Sequence, residues 1–180
     1  MRLWTLQPNE VAEKLLAGET FICDPKLSSF ADDEAFNNAY EWLVERMELK
    51  TPKPENVTWP VWAWHTNYGA QMKPDRRRQM YSSYDQLDAI LEIEIPDDEV
   101  ILSDFDDWHC VLNNFAIMSD EEYENWEEKD KWDCPVYTDE YKLNSWEKVF
   151  RSDGEFVQAC FWMIKPEHLV KVHKLRKRSQ

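Results

Sequence analysis

The densest run of polar functional groups in the chain is Asp104-Phe105-Asp106-Asp107-Trp108-His109. On a helix, residues three or four apart share a face, which sets Asp106 beside His109 and His109 beside Asn113. A carboxylate that orients an imidazole is a general-base arrangement, and an amide one turn further on can hold a substrate. His109, Asp106 and Asn113 are therefore the catalytic candidates. The plainer account of the same run is a capped helix start, with acids on the positive end of the helix dipole and His109 bonded locally.

A second constellation joins Trp62, Trp64 and His65 to the triplet Arg76, Arg77 and Arg78. Aromatic faces stack a base while guanidinium groups grip phosphates, which suits a nucleotide-type small molecule. Trp64, His65, Arg76 and Arg78 are the ligand-binding candidates, joined by Trp4 and Gln7 if the first strand is central. Against this stands a core role for one Trp of the alternating pair, cover from a helix for the other, and arginines that only balance charge.

Other chemistries find little support. His109 and Cys110 are adjacent, so their side chains diverge, and no Cys-x-x-Cys or His-x-x-x-His pair exists; no metal is expected. The three glycines, Gly18, Gly69 and Gly154, are too far apart for a phosphate loop. Cys23 and Cys160 fall in apolar strand contexts, where a small buried thiol is the simpler reading. All four cysteines are expected to be free.

The chain has 180 residues and a net charge of −15, which disfavours general nucleic-acid binding by repelling phosphate backbones. Between 120 and 133 eight acids stand against two lysines, interleaved with Tyr123, Trp126 and Trp132. That composition gives the alternative function: a non-catalytic surface docking on a basic macromolecular partner. No apolar stretch approaches the roughly 20 residues that cross a bilayer, and Met1-Arg2-Leu3-Trp4 opens without a signal-peptide core. The expected location is the cytoplasm, with no membrane partner.

The elements that must position these residues follow from periodicity. Helices are expected at 8–17, 31–48, 104–114 and 139–150, with a further acidic helix opening at Ser119. In the clearest of them Phe36, Tyr40, Leu43 and Met47 recur at helical spacing. Strands are expected at 2–6, 20–23, 60–66, 91–95, 100–102, 156–164 and 169–175. Leu91, Ile93 and Ile95 alternating with Glu92 and Glu94 give the strongest of these patterns. The fold class is α+β, one domain over 1–180 with a mixed or antiparallel sheet and a candidate acidic helical insertion at 119–135.

Several segments, taken in order, carry a resemblance. They are Leu3-Trp4-Thr5-Leu6-Gln7, Tyr40-Glu41-Trp42-Leu43, Pro60-Val61-Trp62-Ala63-Trp64 and Lys73-Pro74-Asp75-Arg76. Leu91 to Pro96, Leu102 to His109, Ser145 to Phe150 and Gln158 to Trp162 complete the set. Together they resemble the bacterial domain-of-unknown-function family 3841, which implies no activity. The layout, with a closing Gln-Ala strand followed by Val-x-Val, also resembles small ADP-ribosyltransferase domains. That likeness implies a cleft between two β-sheets that holds NAD. Such domains commonly carry His or Arg on the first strand and Glu near a late strand. This chain has Trp4, Thr5 or Gln7 at the former and Gln158 and Cys160 at the latter, so NAD or another nucleotide is implied without the usual chemistry.

Overall fold

Six strands run side by side in the order β5-β6-β3-β1-β4-β8, each antiparallel to its neighbours. The structure, a computed structural model, describes residues 1–28, 30–75, 77–78, 88–127 and 138–174. The strands are β1 (Arg2–Gln7), β3 (Val61–Thr66), β4 (Ala89–Glu94), β5 (Ile101–Asp104), β6 (Val157–Phe161) and β8 (Leu169–Lys174). Two short strands, β2 (Phe21–Ile22) and β7 (Met163–Ile164), pair separately. The helices are α1 (Asn9–Leu16), α2 (Glu34–Lys50), α3 (Phe105–Leu112), α4 (Asp120–Glu127) and α5 (Asp139–Ser145).

Each helix ends where its sequence says it must. Pro8, which has no N–H to leave unpaired, precedes α1, and Gly18 follows it at φ 88°. There Glu19 N–H reaches Lys14 O and Gly18 N–H reaches Leu15 O, the paired bonds of a Schellman turn that needs a left-handed residue. Asp33 caps α2 by accepting the Phe36 N–H at 3.0 Å, and Thr138 caps α5 through the Tyr141 N–H. Ser119 and Glu122 cap α4 reciprocally, as their spacing predicts.

The sheet is covered on both faces. On one side Leu3, Leu91, Ile93, Val61, Ala159 and Phe161 meet Val11, Ala12 and Leu15 of α1. On the other, Cys160 and Trp62 lie under Tyr40, Leu43 and Met47 of α2 and Trp108 and Val111 of α3. Leu43 and Met47 are at most 2% exposed, so truncating either to Ala costs about 2–5 kcal/mol.

Expected and observed elements differ in instructive ways. The main sheet, expected to be mixed or antiparallel, is antiparallel at every pairing among the described residues, but element bounds shift. The strand expected over 156–164 breaks at Trp162, and its second half joins β2 instead of the main sheet. The helix expected over 139–150 stops at Ser145 and continues as a 3-10 turn, Trp146–Val149. Of the acidic segment 119–135, residues 128–135 lie outside the described residues, as do Arg76 and Cys134.

Candidate functional site

β1 and β3 are central neighbours, yet their register contains a single pair, Trp4 opposite Trp64. Beyond that pair the strands part. Thr5 Oγ1 donates to Trp62 O at 2.7 Å, a side chain standing in for the backbone ladder, and Gln7 Nε2 donates to Thr5 Oγ1 at 2.9 Å. The opening is a cavity of about 200 Å³ where β1 ends and β3 begins, bounded by Gln7, Phe21, Cys23, Trp62, Trp64 and Gln158.

Two residues on that wall carry buried polar atoms with no hydrogen-bond partner among the described residues: Trp62 Nε1, a donor, and Gln158 Oε1, an acceptor. Gln158 stands opposite Trp64, and Trp62 is opposite Cys160, so the two are diagonal neighbours on one sheet face. Ser103, the residue opposite Gln158 on β5, has an unpartnered buried hydroxyl as well. A buried polar atom left unpaired costs about 1–3 kcal/mol, and native proteins keep few of them. The Cys23 thiol on the same wall is pushed up by burial and by the neighbouring Asp24 carboxylate, so it stays protonated.

The notch opens into a larger groove of about 700 Å³ with which it shares Gln7, Phe21, Cys23, Pro60 and Trp62. Phe36, Tyr40 and Trp59 line its aromatic side. Phe36 and Tyr40 stack at 4.7 Å between ring centroids, and Tyr40 and Trp59 meet at 4.5 Å. Lys14 of α1 also lines the groove.

The candidates from the sequence divide sharply between places. Trp64 and Gln7 reach the notch. Trp4 is buried beside Trp64 in a cluster with Leu6 and Ile90, next to the notch but not on its wall. His65 occupies the register shift between Trp64 and Thr66, where its Nδ1 meets Thr66 Oγ1 at 2.9 Å, and burial lowers its pKa. A bulge adds one residue and re-aims a side chain, which separates His65 from its alternating neighbours.

Arg78 sits past the far end of β3, its guanidinium 3.9 Å from the centre of the Tyr68 ring. Only His65 and Thr66 separate that end from Trp64, the last β3 residue on the notch wall, about 7 Å along the strand. Arg77 is taken by Asp75, whose carboxyl it holds well below the usual range.

The acid–base trio is assembled differently from its spacing. His109 Nδ1 lies 2.8 Å from Phe105 O, one turn back along the helix, and Asn113 Nδ2 donates to His109 O. Among the described residues no hydrogen bond joins Asp106 to His109, and both are exposed on α3, away from the notch and the groove. The buried member of that run is Asp104. It accepts the N–H groups of Asp106 and Asp107 at 3.0 Å each and pairs with Arg151 at 3.2 Å.

On α4, Glu122 is held at about 2 by the Ser119 N–H, the Tyr141 hydroxyl and Lys148, so this acid is engaged within the chain. Among the described residues no group of three or more His, Cys, Asp or Glu could hold a metal ion, and no helix is long and apolar enough to cross a membrane.

These features define an α+β domain built on a six-stranded antiparallel sheet with a notch between its two central strands. The family model for a domain of unknown function, DUF3841, matches residues 2–170, and the chain belongs to that family. No curated protein and no solved structure gives a significant match.

Proposed function

We propose that the notch between β1 and β3 binds the planar ring of a nucleotide-type ligand. One observation carries this: a cavity with an unpaired buried donor, Trp62 Nε1, and an unpaired buried acceptor, Gln158 Oε1, among the residues of its wall. A carboxamide or nucleobase edge offers the complementary carbonyl and N–H, so one ring would satisfy both atoms. Its volume agrees, since an engineered cavity of about 150 Å³ holds benzene. Trp64 adds an aromatic wall. NAD, the ligand implied by the ADP-ribosyltransferase-like layout, is the first to try.

The reading is of binding rather than acid–base catalysis. The notch residues offer amides, a hydroxyl and a protonated thiol, while the imidazole of His109 is turned to a backbone carbonyl elsewhere.

Thermal unfolding against a panel of NAD, mononucleotides and nucleotide sugars tests this. A ligand at 100 times its Kd adds about 2.7 kcal/mol, raising the Tm of a chain this size by about 5–10 °C. Gln158→Leu should abolish that rise without lowering the Tm of the free protein, because it removes an unpaired buried atom. A rise that survives Gln158→Leu, or no rise with any member of the panel, would count against the notch.

A further inference from the structure

We infer that the groove beside the notch is a docking site for a partner protein, which seats the apolar side chains of a basic, amphipathic segment between α1 and α2. The inference does not depend on a ring being bound in the notch.

The apolar surface comes first. Leu27, on the groove wall, is 86% exposed, and Phe30, 55% exposed, stacks on Phe36 of that wall at 5.1 Å between ring centroids. Phe21, Ile22, Pro25 and Phe36 lie half-buried along the same wall. Single exposed apolar residues are ordinary, but apolar side chains gathered along one concavity mark an interaction site. Tyr40 and Trp59 are buried and packed on each other, so the groove offers apolar side-chain surface rather than a free ring face. Its volume of about 700 Å³ gives room for a few anchoring side chains, as when an amphipathic helix lays its apolar face into a groove.

Charge decides which partner. Residues 7–14, 21–36 and 55–62 supply all of the wall but Tyr40, and they carry seven acids against Lys14 and Lys26. Asp24 stands on the wall itself and offsets Lys14, and Glu13, Asp33, Glu34 and Glu55 are exposed around it. Among the described residues none of the seven acids is in an ion pair. A second copy of this chain would bring the same acids to the contact, and like charges set opposite each other weaken an interface. A segment with Lys or Arg flanking its apolar anchors meets charge of the opposite sign on every side, and the −15 of the whole chain speeds its approach.

Fluorescence titration of the whole chain with a labelled synthetic helix, Leu at its anchor positions and Lys on the other face, provides the test at physiological salt. Leu27→Ser and Phe30→Ser should each weaken binding about tenfold. Leu49→Ser, also at an exposed position but about 20 Å further along α2 than Phe36, should leave it unchanged. Glu13→Lys should weaken binding about two- to fivefold, and Asp98→Lys, the same charge change away from the groove, should hardly move it. Equal weakening by Glu13→Lys and Asp98→Lys would reduce the effect to overall charge and overturn the inference. Full affinity in Leu27→Ser and Phe30→Ser, or no binding by the parent, would overturn it as well. Sedimentation should find a monomer, and a dimer that Leu27→Ser dissociates would give the groove to a second copy instead. Gln158 lies on the notch wall and not on the groove wall, so Gln158→Leu should bind the helix as the parent does, and the two readings fail separately.

Discussion

The notch at β1 and β3 and the polar start of α3 make opposite use of polar atoms. At α3 the groups are many and nearly all engaged: Asp104 caps two N–H groups and pairs with Arg151, Asp107 takes the other side of that guanidinium, and His109 bonds its own helix. At the notch the polar side chains are few, and two carry buried atoms left without partners. Density of reactive residue types thus marks a structural joint here. The proposed ligand site is instead the place where hydrogen-bonding capacity is buried and unspent.

That contrast can be broken from either side, and the largest effect is expected at the joint. A Cβ added at Gly154 would lie 2.0 Å from Asp104 Oδ2, closer than atoms can approach. Gly154→Ala must displace the capping carboxylate, which combines the loss of a cap with overpacking, about 2–4 kcal/mol in all. Urea titration should show that loss, while any variant protein still folded should keep its response to NAD. A destabilisation under 0.5 kcal/mol would mean that the carboxylate has somewhere else to go.

Gln158→Leu comes next and carries the reverse signature, a Tm equal to or above the parent with the ligand-induced rise gone. Alkylation gives a third check. NAD should slow the modification of Cys23, which lies between notch and groove, and leave Cys110 on α3 unchanged. Equal rates with and without NAD would place the ligand elsewhere. His109→Gln should change stability by no more than about 0.5 kcal/mol and leave NAD binding intact, as suits an exposed side chain. Loss of binding in that variant would restore α3 as the site.

The smallest effect is one of pH. Glu122 is about 2 in the folded chain and about 4.3 when unfolded, so its contribution is complete above 4.3 and disappears as pH falls toward 2. The stability difference between the parent and Glu122→Gln, measured in urea at pH 5 and pH 3, should shrink at the lower pH. A constant difference would show that the carboxylate's charge is not what anchors α4.

Much of the framework was legible because it depends on local signals. The alternation over Leu91–Ile95, the helical spacing of Phe36, Tyr40, Leu43 and Met47, and the Ser119–Glu122 cap all appear in place. The notch was not legible, because it depends on how far two strands 57 residues apart remain paired. In the sequence Gln158 stands out only as a substitute for an expected Glu, and nothing local says that its carbonyl lacks a partner. Alternation placed His65 correctly in a strand, but a one-residue bulge sets it apart from Trp64. The spacing of Asp106 and His109 is as expected, and the backbone carbonyl of Phe105 is where the imidazole turns.

The position of β1 at the centre of the sheet has a consequence for synthesis. Its two partners lie far along the chain, with β4 following some ninety residues later. On a ribosome adding roughly 5–20 residues per second, β1 would emerge and wait about 5–20 s before its second edge could be closed. Over that interval only α1 and later β3 can cover Leu3, Trp4 and Leu6, all buried in the finished sheet, and the edge that β4 takes stays open. The nascent chain is therefore expected to bind a holding chaperone through its first residues, and to release it only once β4 has left the exit tunnel.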